Sequence, residues 1–153
     1  MRTGAALAAL AAAIVLVFAG CGGGGRLSKA EYERKLQQAG RELTTALRHL
    51  SASRSKVQFQ KGVDGVERAL NDAADELDHS KPPQDVESAN QRVVEGFRRL
   101  SDEFNAVKAA AEKGPDAARQ AGRAITTGTA SREANQAIEE IKRRGYDVGQ
   151  LGS

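Results

Sequence analysis

Residues 28–50 read SKAEYERKLQQAGRELTTALRHL, and this stretch decides the fold class. Its apolar side chains recur at steps of three and four, which is the period of one face of an α-helix. Those side chains are Tyr32, Leu36, Ala39, Leu43, Leu47 and Leu50. Ser28 and Glu31 have the spacing of a capping box, which predicts that a helix begins here and runs over 28–50. A helix with one narrow apolar stripe needs other helices to cover that stripe.

A second helix with the same period is predicted over 56–79. A Ser-rich stretch ends the first helix, and Ser55 with Gln58 has the spacing of another capping box. The apolar stripe continues through Phe59, Val63, Val66, Leu70, Ala73 and Leu77. Gly62 and Gly65 lie inside this helix, where each costs about 1 kcal/mol relative to Ala.

Two further helical segments follow. Pro82-Pro83 cannot continue a helix, and the residues after them keep the three-four spacing over 84–113. Gly114-Pro115 is typical of a helix end followed by a helix start. The segment after it weakens around 126–129, so it is either one interrupted helix or two short ones that end near Gly145.

We therefore expect an all-α protein, with a three- to four-helix antiparallel bundle over 28–145. Short connections between amphipathic helices favour antiparallel neighbours whose stripes face inward. Residues 146–153 are predicted to form a loose tail, with Tyr146 or Val148 as the residues that could fold back onto the bundle. Acid-first pairs four residues apart are expected on exposed faces. They are Glu31 with Lys35, Glu95 with Arg99, Glu139 with Arg143 and Glu140 with Arg144.

Composition excludes several classes of protein. The chain has 153 residues, of which 40% are hydrophobic and 28% charged, and this is the balance of one globular domain. Its net charge is +3, so we expect none of the basic surface that nucleic-acid binding needs. Aromatic residues make up 4% of the chain and Trp is absent, so bulky anchors for a ligand pocket are few.

The first 21 residues have the pattern of a secretory leader. Met1 and Arg2 form a short positive start, and residues 5–19, AALAALAAAIVLVFA, are apolar and uncharged. As a helix this run is about 22 Å long, whereas the hydrocarbon core of a bilayer is about 30 Å thick. The run is therefore too short for a comfortable transmembrane helix, and it ends beside Cys21, the single cysteine of the chain.

Phe18-Ala19-Gly20-Cys21 resembles the lipobox of bacterial lipoprotein signal peptides, with Phe18 where that family most often has Leu. The resemblance implies a thioether-linked diacylglyceryl group on Cys21, cleavage between Gly20 and Cys21, and a lipid anchor on the extracytoplasmic face of the cell membrane. Residues 1–20 are then the signal peptide, and residues 21–27 are the lipidated cysteine with a Gly-rich tether. Beyond Cys21, the chain is similar only in composition to small helical lipoproteins of high-GC bacteria.

The alternative for this segment is a plain secretory signal or a short anchor, with Cys21 as an ordinary free thiol. In either case a chain with one cysteine forms no internal disulfide. The stability of the domain must then come from packing.

Few residues after Cys21 have the pattern of a reactive site. No HExxH, GxSxG, CxxC or glycine-rich phosphate loop occurs, so neither an enzyme nor a cofactor is predicted. His49 and His79 lie near predicted helix ends, where a positive charge complements the helix dipole. The weak candidates for a metal site share one helix face and are Asp72, Asp75, Glu76 and His79. A solvated acidic face is the interpretation we favour for them.

Two small basic groups could touch anionic lipid headgroups. They are Arg98-Arg99 and Lys142-Arg143-Arg144. Acidic residues are mixed among both groups. For residues 142–144 we favour a solvated helix end, because cations there offset the helix dipole.

These patterns together predict a membrane-anchored lipoprotein that acts as a helical binding or structural module of the cell envelope. Its expected partners are the membrane, through the lipid on Cys21, and either another envelope protein or a second copy of the chain. The alternative function is an extracytoplasmic carrier of a small apolar ligand, or a weak metal binder. Small core residues could leave room for such a ligand, or could equally let helices approach closely. They are Ala39, Ala73, Ala89 and Ala110.

Overall fold

The structure is a computed structural model, and it describes residues 25–151 of the chain. All regular secondary structure in this range is helical, so the predicted all-α bundle is confirmed. Within the same range, no helix is both long enough and apolar enough to cross a bilayer. The helices are α1 (Lys29–Ser51), α2 (Lys56–Asp78), α3 (Glu87–Lys113), α4 (Pro115–Thr127) and α5 (Thr129–Arg143).

The helix boundaries differ from the prediction at two places. The third helix begins at Glu87 rather than at residue 84, because Gln84–Val86 form a single 3-10 turn after the two prolines. The segment after Gly114 consists of two helices, so the second of the two interpretations is right. The break lies at Gly128, whose extended backbone (φ −68°, ψ 166°) ends α4 and precedes α5.

Side-chain caps define the starts of α1 and α2. Ser28 Oγ accepts a hydrogen bond from the Glu31 amide at 3.3 Å, and the Ser28 amide donates to Glu31 Oε2 at 2.8 Å, so the predicted capping box is present. The Ser28 hydroxyl also donates to the Glu31 carboxylate, and these hydrogen bonds hold the pKa of Glu31 below its ordinary value. At the start of α2, Ser55 Oγ accepts from the Gln58 amide at 3.2 Å.

The helix order is that of an antiparallel four-helix bundle in which the last position is filled by two helices. α3 is central, because it packs against α2 on one side and against α4 and α5 on the other, while α1 packs extensively only against α2. α4 and α5 follow one another antiparallel to α3. One end of the bundle, which we call the proximal end, therefore contains the start of α1, the end of α2, the start of α3 and the end of α5.

The core is mainly apolar and contains a polar network whose members are hydrogen-bonded. The largest side chains that are fully buried include Tyr32, Leu36, Leu70 and Leu77. The Tyr32 hydroxyl donates to Asn90 Oδ1 at 2.8 Å, and Asn90 Nδ2 donates to the Leu77 carbonyl at 3.1 Å. Each buried polar group of this network has a partner, which removes most of the cost of burying it. Burial raises the pKa of Tyr32 far above its ordinary value.

Two helical glycines lie where neighbouring helices approach each other closely. A Cβ added at Gly96 would lie 2.7 Å from the Cβ of Ala134, so α3 and α5 nearly touch there. A Cβ at Gly62 would lie 2.8 Å from the Cα of Leu50, where α2 crosses α1. The cost that the sequence assigns to Gly62 is therefore offset by packing. A Cβ added at Gly65 would have no atom within 4 Å, so no close contact between helices offsets the cost of this glycine.

The prediction of a loose tail is wrong for residues 146–151, which we call the C-terminal segment. Tyr146, Val148 and Leu151 are 7%, 5% and 4% exposed and belong to the main core. The chain can turn back after α5 because Gly145 and Gly149 adopt positive φ values, +83° and +58°. The alternative expectation, that Tyr146 or Val148 folds back onto the bundle, describes the structure better. The last two residues, 152–153, lie outside the described range.

Candidate functional site

An open space lies on the side of the bundle where α1 faces α4 and α5. In a closed four-helix bundle, the first and last helical positions are neighbours that pack together. Here the two positions are separated by a cleft of about 400 Å³, which we call the apolar cleft. This volume lies in the range of about 300–1,000 Å³ that is usual for small-molecule sites.

Apolar side chains from four helices form the walls of the apolar cleft. Leu43 and Leu47 come from α1, and Leu100 and Phe104 come from α3. The walls are completed by Ile125 at the end of α4 and Ile138 in α5. Behind them, buried side chains of α2 and α3 close the cleft from the back; they are Val66, Leu70 and Phe97. The exposed flank of the cleft includes Leu47, which is 43% exposed, a high value for a leucine beside the core.

The lining of the apolar cleft contains no charged side chain, although 28% of the chain is charged. Its polar members are hydroxyls and amides, from Thr44, Thr126, Ser131, Asn135 and Gln150. A site of this kind can hold an apolar molecule and offers a few hydrogen bonds beside it. It offers no ionisable side chain for general acid-base catalysis.

The C-terminal segment closes one end of the apolar cleft. Leu151 lines the cleft, and its backbone amide nitrogen would lie 3.0 Å from a Cβ added at Gly40, so a larger residue at position 40 would push the segment away. Two hydrogen bonds tie the segment to α1: Gln37 Nε2 donates to Asp147 Oδ2 at 2.9 Å, and the Asp147 amide donates to Glu33 Oε1 at 3.0 Å.

Tyr146 anchors the segment at the proximal end. Its ring meets the Tyr32 ring edge-on, with the centroids 5.7 Å apart and the planes at 82°. The Tyr146 hydroxyl donates to Asp85 Oδ1 at 2.8 Å, and Lys29 Nζ lies 5.3 Å from the centre of the ring. Burial, together with the hydrogen bond to Asp85, raises the pKa of Tyr146 to about 12.

The residues that carry the lipoprotein resemblance, Phe18 to Cys21, lie outside the described range, which begins at Gly25. The end of the predicted tether is described, and it differs from the prediction. The Leu27 amide donates to the Lys81 carbonyl at 2.9 Å, and Arg26 binds both the Pro82 carbonyl and the Glu87 carboxylate at 2.9 Å. Residues 26 and 27 are therefore docked on the bundle at the proximal end.

The four metal-site candidates do not converge on a common point. Glu76 accepts a hydrogen bond from Lys35 at 2.8 Å. Arg98 bridges Asp75 at 3.1 Å and Asp78 at 2.9 Å, and these hydrogen bonds raise the pKa of Arg98. Over residues 25–151, no three His, Cys, Asp or Glu side chains are grouped so that they could hold a metal ion. Asp72 and His79 are exposed, so the solvated acidic face describes this surface better than a metal site does.

The two histidines lie at helix ends, as expected. His49 is in the last turn of α1, and His79 is the C-cap of α2, with Nδ1 2.7 Å from the Asp75 carbonyl oxygen. His49 borders a groove of about 850 Å³ between α1 and α2, which is open to solvent and lined by acids and bases alike. Neither side chain lies in a closed pocket with several acids.

Both basic groups are largely engaged with acids of neighbouring turns or helices. Arg99 pairs with Glu133 at 2.5 Å, in addition to the contacts of Arg98. At the end of α5, Lys142 lies 3.4 Å from Glu139, and Arg144 lies 2.9 Å from Glu140. These paired cations have less charge to offer an anionic surface than the sequence alone suggests.

No protein-family model, no curated protein and no solved structure matches the chain. Leu43 and Leu47 belong to the apolar stripe predicted for the first helix, but that stripe does not reveal the cleft. One signal is present in the sequence: three apolar residues, Tyr146, Val148 and Leu151, lie in the short segment that is predicted as a loose tail. Packing that segment against α1 closes one end of the cleft.

Proposed function

We propose that this protein is a lipid-anchored helical binding module of the bacterial cell envelope. The proposal is carried by the sequence Phe18-Ala19-Gly20-Cys21 at the end of a short apolar run, in a chain with no other cysteine. Lipidation of Cys21 would attach the protein without a spanning helix, because two acyl chains are enough for stable membrane binding. An exported chain anchored in this way faces the extracytoplasmic side of the membrane.

The docking of Arg26 and Leu27 supports attachment at one end of the bundle. Four glycines, residues 22–25, remain between Cys21 and the docked residues. For a Gly-rich chain of four residues, the general relation gives a root-mean-square reach of about 11 Å. The proposed anchor therefore keeps the proximal end close to the bilayer surface.

Cell fractionation of the wild type and Cys21→Ser tests the proposal. We expect the wild type in the membrane fraction and Cys21→Ser outside it, because the serine hydroxyl cannot accept the thioether-linked lipid. Gly22→Ser is the matched control, since it makes a neighbouring change and keeps the cysteine. Retention of Cys21→Ser in the membrane with unchanged processing would contradict the proposal.

A second candidate function is a carrier of a small apolar ligand. The observation in its favour is the apolar cleft, with its uncharged lining and its closed end at Leu151. The small residues Ala39, Ala73 and Ala89 leave no such space, because they are fully buried within the packed core. The room for a ligand lies instead between α1 and α5.

A further inference from the structure

We infer that the apolar cleft binds one hydrocarbon chain of a bilayer lipid. The inference rests on the proposed anchor, which places the bilayer beside the protein as the source of the chain. It deepens the carrier function by naming the class of ligand. Three properties of the cleft lead to it: the charge of its lining, its size, and its distance from the tether.

The charge of the lining favours hydrocarbon over a headgroup. No Asp, Glu, Lys or Arg lines the cleft, so nothing there compensates a phosphate or a carboxylate. Taking an ionised group into such surroundings without a partner is strongly unfavourable. An aliphatic chain has no charge to desolvate, and it covers the exposed faces of Leu47 and the apolar residues behind it.

The cleft is short and narrow, which favours a small elongated occupant. The lining follows residues 97–104 of α3 and 131–138 of α5, which is about two helical turns or about 10 Å on each helix. A volume of about 400 Å³ over this length lies in the range of small-molecule sites and suits a narrow, elongated occupant.

The position of the cleft determines how the bundle meets the membrane. Leu43 is fourteen residues along α1 from Lys29, at the proximal end, and this separation corresponds to about 21 Å. The tether reaches about 11 Å. Acyl chains can therefore enter when the bundle lies along the bilayer surface, and not when it stands on its proximal end.

Tryptophan fluorescence can detect the chain directly, because the protein contains no tryptophan of its own. Asn135→Trp places a reporter in the exposed lining of the cleft, and Gln136→Trp places one on the next, also exposed, residue of α5, outside the lining. The full chain is isolated from membranes and incorporated into phosphatidylcholine vesicles whose acyl chains carry bromine, which quenches tryptophan on contact. Unbrominated vesicles give the reference intensity, and flotation separates the attached protein.

The proposal predicts a loss of fluorescence for Asn135→Trp in brominated vesicles and none for Gln136→Trp. Adding Leu47→Asp should weaken occupancy by about tenfold or more, because the carboxylate must lose water when the chain enters. Val57→Asp is the matched control, since Val57 is also an exposed hydrophobic residue, 60% exposed, and lies outside the cleft.

The other outcomes overturn the inference in distinguishable ways. A chain that does not float with the vesicles contradicts the anchor, and with it the source of the ligand. A floating chain whose two reporters are quenched equally shows that α5 touches the bilayer and that the cleft is not selective. A floating chain with no quenching at either position shows that no acyl chain of the bilayer occupies the cleft. A spectral shift that depends on protein concentration, without quenching, assigns the cleft to a second copy.

Discussion

At the residue scale, the bundle depends on side chains that leave room for a neighbour. Gly62 and Gly65 look equivalent in the sequence, where each only weakens α2. In the structure Gly62 is buried against Leu50, while Gly65 has no neighbour within 4 Å of an added Cβ. No sequence pattern separates the two, because the difference is made by another helix.

Alanine substitutions at these two glycines should have opposite effects on the free energy of unfolding. Gly65→Ala removes a flexible residue without a clash and should stabilise the protein by up to about 1 kcal/mol. Gly62→Ala brings its methyl group into the Leu50 backbone and should destabilise it by about 1–3 kcal/mol, as overpacking does. Urea unfolding followed by circular dichroism measures both. Equal effects of the two substitutions would contradict the close contact between α1 and α2.

Tyr146 should make the stability fall at alkaline pH. Its pKa is about 12 in the folded protein and about 10 in an unfolded chain, so the fold favours the neutral phenol. The contribution is fully present below pH 10 and is lost as the pH rises from about 10 towards 12, since the unfolded chain releases its proton first.

Unfolding measured at a series of pH values above 9 tests this dependence. Tyr146→Phe should be less stable than the wild type at neutral pH, because it loses the hydrogen bond to Asp85. Its stability should then decline less steeply above pH 10. The decline that remains belongs to Tyr32 and to other groups that titrate in this range. An unchanged slope would show that Tyr146 ionises freely at the surface.

The partners in ion pairs could be predicted only in part from the sequence. Of the expected pairs within helices, Glu140 with Arg144 forms, at 2.9 Å. Lys35 is instead bound to Glu76 of α2, and Arg99 to Glu133 of α5. A long side chain on a helix surface can pair with a residue of the adjacent helix. The sequence of one helix does not show whether it does so.

At the element scale, the helices follow from their period, whereas for the C-terminal segment the sequence offers only the alternative that Tyr146 or Val148 folds back. A period of 3.6 residues can be recognised over about twenty residues. For this reason α1 and α2 begin within one residue of their predicted starts. A six-residue segment carries no period. Its packing depends on the positive φ angles of Gly145 and Gly149 and on the space that α1 leaves at Gly40.

Two leucine substitutions test whether the C-terminal segment is part of the core. Leu151→Ala should destabilise the protein by about 2–5 kcal/mol, because Leu151 is 4% exposed and its removal leaves a void. Leu47→Ala removes the same group from a residue that is 43% exposed, so its effect should be much smaller. Thermal unfolding of the two variants beside the wild type gives the comparison. If both changes shift the midpoint equally little, the segment does not pack as described.

At the scale of the whole molecule, the sequence predicted an all-α helical bundle but not the gap between its first and last helical positions. Four amphipathic stripes imply a closed bundle, and closure fails here because α1 packs extensively only against α2. The apolar cleft is the consequence. Contacts between helices also explain why the metal-site candidates form no site. Arg98 of α3 and Lys35 of α1 form ion pairs with the acidic residues of α2.

The intact mass of the full chain extracted from membranes tests the proposed function most directly. We predict a chain that starts at Cys21 and carries a diacylglyceryl adduct, and we predict that Cys21→Ser lacks the adduct. An unmodified mass, or a chain that still begins at Met1, would contradict the lipid anchor and leave Cys21 as a reactive thiol of a secreted or signal-anchored bundle.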